Sequence, residues 1–148
     1  VPVFEGLFIQ LGIYKKFSNY TIVKRNRTGL LNWRDPQGQR FERVKLEDPK
    51  FEEEFDVYST SQIESRYLLT TSFMDRLLTV ADGHNGGDIQ CSFYDQHLLL
   101  SMPCKQWLAG SSLFTPATFD LDIRVILRDI HGIFNMLDEL QLDQKTGL

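Results

Sequence analysis

The stretch Ile89-Gln90-Cys91-Ser92-Phe93-Tyr94-Asp95-Gln96-His97-Leu98-Leu99-Leu100-Ser101-Met102-Pro103 divides into two faces. With Asp95-Gln96 as a two-residue turn, Tyr94 falls opposite His97, Ser92 opposite Leu99 and Gln90 opposite Ser101, a mostly polar set. The other set, Ile89, Cys91, Phe93, Leu98, Leu100 and Met102, is entirely apolar. A one-residue slip of either strand would mix the sets, so the pattern predicts a hairpin with one buried face. Cys91 then lies opposite Leu100. Cys104 falls too far along to bridge it, because a disulfide needs Cα atoms within about 7 Å.

Working outward, residues 5–14 alternate Leu7, Ile9, Leu11 and Ile13 with Phe8, Gln10, Gly12 and Tyr14. That is the period of a strand. Phe17-Ser18-Asn19 reads as a turn, and Tyr20 to Arg25 as a second strand with Tyr20 and Ile22 on one face and Thr21 and Val23 on the other. A hairpin over residues 5–27 is therefore predicted. Residues 27–39 read as a connection around the turn Asp35-Pro36-Gln37-Gly38, with Trp33 as its buried anchor. Phe41 to Leu46 reads as a third strand.

Helix signals follow. Asp48-Pro49 is an N-cap followed by proline at the first helical position, predicting a short helix from Pro49 to Phe55 that turns Phe51 and Phe55 inward. Ser61-Gln62-Ile63-Glu64 has the form of a capping box and predicts a helix of about two turns. Thr70-Thr71-Ser72 caps a further helix that carries Phe73, Met74, Leu77, Leu78 and Ala81 and stops at Gly83. Thr118 to Leu142 reads as one long helix, with Arg124, Arg128, His131, Asn135 and Asp138 on its polar face. The predicted fold class is α+β: an antiparallel sheet of about five strands with helices packed on it, in the order β-β-β-α-α-α-β-β-α. A single domain over residues 1–148 is expected, excised from a longer chain, since Val1-Pro2-Val3-Phe4 is neither an initiator methionine nor a signal peptide.

Composition agrees with a globular domain: 148 residues, 42% hydrophobic, 24% charged and a net charge of −4. The charge is uneven. Residues 15–43 hold eight cations (Lys15, Lys16, Lys24, Arg25, Arg27, Arg34, Arg40 and Arg43) against Asp35 and Glu42 alone, and the rest of the chain is strongly acidic. This basic segment reads either as a solvated strand edge near the acidic run Glu52-Glu53-Glu54 or, through Lys15, Lys16, Lys24, Arg25 and Arg27, as a contact for an anionic membrane surface. Nucleic acid is not an expected partner: the chain is acidic overall and has neither an aromatic-interleaved RNP stretch nor a GxxG loop.

Several chemistries are disfavoured by spacing. His84, His97 and His131 fall on separate elements, and the two cysteines lack CxxC spacing, so no metal site is expected. Gly83-His84-Asn85-Gly86-Gly87 leads into a strand rather than a helix and lacks the GK[ST] of a phosphate loop. No GxSxG elbow occurs, and no catalytic residue or cofactor is assigned. The best polar constellation is Tyr58, Gln62, Glu64, Arg66 and Tyr67. Gln62 and Arg66, four apart on one helical face, form a candidate binding pair for a carboxylate or phosphate. The alternative reading has Arg66 paired with Glu47 or Asp56 and Glu64 engaged in the capping box.

The run from Val44 to Thr70, with its Lys45-Leu46-Glu47-Asp48-Pro49-Lys50-Phe51-Glu52-Glu53-Glu54-Phe55-Asp56-Val57-Tyr58-Ser59-Thr60-Ser61-Gln62-Ile63-Glu64-Ser65-Arg66-Tyr67 core, resembles the central signature of the bacterial domain of unknown function 3137 family. Phe4-Glu5-Gly6-Leu7-Phe8 looks like the family's opening motif, Phe73-Met74-Asp75-Arg76-Leu77-Leu78 its next helix, and Leu137-Asp138-Glu139-Leu140 its last. The chain departs from the pattern in a shorter connection at 27–39, in the loop 105–115 with Trp107 and Gly110, and in lacking the final apolar residues. The resemblance implies a cytoplasmic C-terminal domain of a bacterial inner-membrane protein, anchored by preceding transmembrane helices, and brings no enzyme activity with it. The expected function is a non-catalytic interaction or ligand-binding module that works chiefly with a protein partner. The alternative is an enzyme or small-anion sensor with a pocket around Glu64, Arg66 and Tyr67.

Overall fold

A computed structural model describes residues 6–25, 33–83 and 88–103 together with Arg124, Arg128 and His131. The elements run β1 (Gly6–Arg25), β2 (Glu42–Val44), α1 (Pro49–Glu54), β3 (Phe55–Ser59), α2 (Gln62–Leu68), α3 (Thr71–Gly83) and β4 (Gln90–Pro103). The four strands form one antiparallel sheet in the order β2-β3-β1-β4. This is the α+β arrangement expected, an antiparallel sheet with helices packed on it.

Both predicted hairpins are instead the two halves of one long ribbon. β1 and β4 are each continuous and pair along their length, from Gly6↔Pro103 through Gly12↔His97 to Thr21↔Phe93 and Lys24↔Gln90. The two segments read as turns, Phe17-Ser18-Asn19 and Asp95-Gln96, meet each other in this ribbon, where Phe17 pairs with Asp95 between two register shifts. They are bulges, not reversals. Asp95 takes φ 50°, the left-handed conformation that aspartate tolerates better than most residues. A bulge there exchanges the buried parity of β4 from Cys91 and Phe93 to Leu98, Leu100 and Met102, which are all buried. A two-residue turn produces the same parity exchange, which is why the inward set was correct and the connection was not.

The core lies between one sheet face and the helices. Val23, Val44, Phe55, Val57, Cys91 and Phe93 from the strands pack against Phe51 of α1, Leu68 of α2 and Phe73, Leu77, Leu78 and Ala81 of α3. Phe73 and Phe17 both contact the Phe93 ring, at centroid distances of 5.5 and 5.8 Å. Burial pushes the Cys91 thiol far above its ordinary range, so it stays protonated and inert. A smaller cluster on the opposite face joins Phe41 and Tyr58 to Tyr20 and Ile22.

The helix starts follow their caps. Asp48 accepts the Phe51 amide at 3.1 Å with Pro49 in the first turn, and Thr70 Oγ1 accepts the Phe73 amide at 3.2 Å. The short third strand is Glu42–Val44, and α1 ends at Glu54 because the chain turns directly into β3. β3 was not foreseen; the sequence placed Phe55 in the helix. Trp33 is not a buried anchor but 59% exposed, and Phe41 is the residue that buries itself beside that turn. Of the predicted long helix 118–142, only Arg124, Arg128 and His131 are described, all helical and exposed. The rest of that helix, Cys104 and the loop 84–87 lie outside the described residues. None of the described helices is long and apolar enough to cross a membrane.

Candidate functional site

The helix α2 is held in place by its own polar residues. Ser61 Oγ accepts the Glu64 amide at 3.3 Å, so serine caps the helix as expected. The reciprocal half of the capping box is absent. The Ser61 amide donates to Ser59 Oγ at 3.0 Å, and the Glu64 carboxylate reaches across to β1, accepting the Ser18 amide at 3.1 Å and the Asn19 amide at 2.9 Å. Two backbone donors exposed by the β1 bulge are thereby satisfied by one carboxylate. Thr60 reinforces the same joint: its amide donates to the Tyr20 carbonyl, and its Oγ1 accepts the Tyr20 amide. Beneath it, the buried hydroxyls of Thr21 and Ser59 lie 3.0 Å apart.

Gln62 is also occupied, its Nε2 donating to the Arg43 carbonyl of β2 at 3.1 Å. Arg43 in turn pairs with Asp56 at 2.8 Å. This removes Asp56 as a partner for Arg66, contrary to that reading, and Glu47 is exposed. Among the described residues, no ion pair to Arg66 is found. Tyr58 is buried in the cluster with Phe41 on the far side of the sheet. The five predicted residues are therefore not one constellation: Tyr58 is core, Gln62 and Glu64 are tethers, and Arg66 and Tyr67 are exposed.

With Ser65 and Leu68 turned inward, the outer side of α2 carries Ile63, Arg66 and Tyr67, spaced i, i+3 and i+4. Ile63 is 85% and Tyr67 48% exposed. Ile63 was missed because the candidate residues were chosen for their polar groups. The signal was available in the helix period, since Ile63 lies roughly opposite the cap-proximal Ser65 on an ideal helix.

The basic segment is partly neutralised. Lys24 is buried in the sheet, and Arg25 pairs with Glu54 at 2.9 Å and lies over the Phe55 ring at 5.7 Å. Lys16 is exposed. The Lys15 side chain and Arg27 lie outside the described residues. Among the described residues, no group of three or more His, Cys, Asp or Glu side chains is arranged to hold a metal ion.

No curated protein and no solved structure matches the chain. A family described as a protein of unknown function, DUF3137, matches residues 2–142. With the match covering residues 2–142 and including every tether of α2, the chain belongs to the DUF3137 family.

Proposed function

We propose that this domain is a non-catalytic docking module that binds a partner protein through the outer face of α2. The observation that carries this reading is the division of labour within seven residues. Gln62 and Glu64 bind the helix to its own domain and Ser65 is turned inward, while Ile63, Arg66 and Tyr67 face outward. A single exposed isoleucine is ordinary. An aliphatic residue, a tyrosine and an arginine on one face of a helix fixed at both sides is the composition of an interface hot spot. The partner that fits is a protein segment presenting an apolar side chain with a carboxylate beside it, the first to cover Ile63 and Tyr67 and the second to meet Arg66.

The enzyme or anion-sensor alternative needs Glu64 available to a ligand, and its carboxylate is already engaged by two backbone amides. In the docking reading, the domain works at the cytoplasmic face of a bacterial inner membrane as part of a membrane-anchored chain, as the family resemblance implies. A photo-crosslinking residue at position 63 of the full-length protein in its native cell tests it, with position 79 on the exposed side of α3 as control. We expect a crosslinked protein from 63 that disappears in Arg66→Glu and is absent from 79. Equal yields from both positions, or insensitivity to Arg66→Glu, would overturn the proposal.

A further inference from the structure

The two edges of the sheet are built differently. β2 is three residues long, Glu42-Arg43-Val44, and carries a charge of each sign. β4, at the other edge, runs fourteen residues from Gln90 to Pro103 and holds a single formally charged side chain, Asp95. It lacks the lysines with which edge strands commonly resist pairing with another chain. Among the described residues, no strand pairs with the outer side of β4.

Two local features delimit the part of β4 that is regular enough to pair. The bulge at Asp95 bends the strand on one side, and Pro103, which has no amide to donate, closes it on the other. Between them the register with β1 is unbroken, from Gly12↔His97 to Gly6↔Pro103. This segment, His97-Leu98-Leu99-Leu100-Ser101-Met102-Pro103, is centred on Leu100. Placed antiparallel to a second copy about that centre, Leu98 falls opposite the partner's Met102, Leu99 opposite the partner's Ser101, and Leu100 opposite the partner's Leu100. Leu98, Leu100 and Met102 are the buried set, and alternation puts Leu99 and Ser101 on the other face. The register therefore keeps both apolar sets on one side of a joined sheet, and a one-residue slip would turn them to opposite sides.

The other face is complementary as well. Phe8 stands beside Ser101 and Gln10 beside Leu99, so the row across the seam reads Phe8, Ser101, the partner's Leu99, the partner's Gln10. Phe8 is 57% exposed and Leu99 half-buried. About 9.6 Å, two strand spacings, separates the backbones of Phe8 and the partner's Leu99, a gap that a phenylalanine ring and a leucine side chain span together over the short serine.

We propose that residues 97–103 of β4 are the seam of a two-fold homodimer, in which four strands from each copy join into one antiparallel sheet of order β2-β3-β1-β4-β4-β1-β3-β2. The contact is isologous and closes at two copies. Backbone hydrogen bonds set its register, and the Phe8 and Leu99 rows cover it. α2 is tethered at Ser18 and Asn19 of β1 and at β2, outside the seam, so this inference does not depend on the docking reading.

The test uses the 148-residue chain in a Cys104→Ser background, which leaves only the buried Cys91. Chains carrying Leu99→Cys and chains carrying Ser101→Cys are oxidised separately and as a mixture. Residues directly opposite on antiparallel strands lie about 4.5–5.5 Å apart and can bridge, whereas the diagonal pairs 99–99 and 101–101 lie about 7–8 Å apart, outside disulfide reach. We expect a disulfide-linked dimer from the mixture and little from either chain alone. Sedimentation equilibrium of the parent chain should show a dimer. Leu99→Lys should weaken it about ten-fold by placing like charges on the diagonal of the seam, and Thr79→Lys, on the exposed side of α3, should not. The Leu99→Lys monomer should keep Cys91 unreactive and exchange its outer-edge amides at 97–103 rapidly. A monomeric parent, assemblies growing beyond two copies, equal crosslinking in all three samples, or none in the mixture would overturn the proposal. So would slow exchange of those edge amides in the monomer, which would mean that a segment of the same chain already covers them.

Discussion

The two short helices on either side of β3 are built alike and used differently. α1 and α2 span six and seven residues, each starts at a polar side-chain cap, and neither is long enough to persist alone in water. α1 is held by what it buries: Phe51 is fully inside, stacked on Phe55 at 5.0 Å, while Glu52 accepts the Leu46 amide at 2.7 Å and Glu54 meets Arg25. α2 contributes Leu68 to the core, but its distinctive contacts are polar, through Glu64 to β1 and Gln62 to β2. Its isoleucine faces outward. A helix attached by hydrogen bonds can afford an apolar outer face; one attached by its apolar residues has none to spare.

The comparison yields graded expectations. Phe51→Ala should destabilise most, by about 3–5 kcal/mol, because it removes a fully buried ring and leaves a cavity; a denaturant midpoint barely lowered would show that α1 is not core-anchored. Glu64→Ala should cost about 1–3 kcal/mol and speed amide exchange at Ser18 and Asn19, since two backbone donors lose a charged acceptor. Exchange unchanged at those two amides would mean that the tether is not formed in solution. Asp48→Ala should cost about 1 kcal/mol, the usual value of an N-cap, with heat denaturation as the readout. Ile63→Ser and Arg66→Ala should stay within about 0.5 kcal/mol of the parent, and Arg66→Ala should abolish partner crosslinking from position 63. A larger stability loss at either position would move that residue from the docking face to the fold.

Much of the local structure was legible from single residues. Asp48-Pro49, Ser61 and the threonines before Phe73 mark helix starts because a cap is a contact over three residues, within reach of sequence reading. The inward set of β4 was legible for a similar reason, as alternation is local. What the sequence did not disclose was pairing at a distance. Phe17-Ser18-Asn19 and Asp95-Gln96 have the composition of turns, and a bulge recruits the same residue types; the two are told apart only by a partner strand some eighty residues away. The capping box was misread in the same manner. Glu64 looked like half of a local box, and its actual partners are the amides of Ser18 and Asn19 on another strand. Arg66 and Tyr67 were singled out for polarity, whereas the residue that gives their face its character is Ile63.

The position of β1 inside the sheet has a consequence for biosynthesis. The strand made first occupies an inner place, and its two halves acquire partners at very different times. Residues 21–25 can pair once β3 has emerged, but residues 6–12 pair, among the described residues, only with 97–103. At usual translation speeds the ribosome needs roughly 4–17 s to make the intervening stretch. Throughout that interval the alternating Leu7, Ile9, Leu11 and Ile13 form an unpaired apolar strand on the nascent chain, the kind of segment that chaperones hold and that crowded polysomes aggregate.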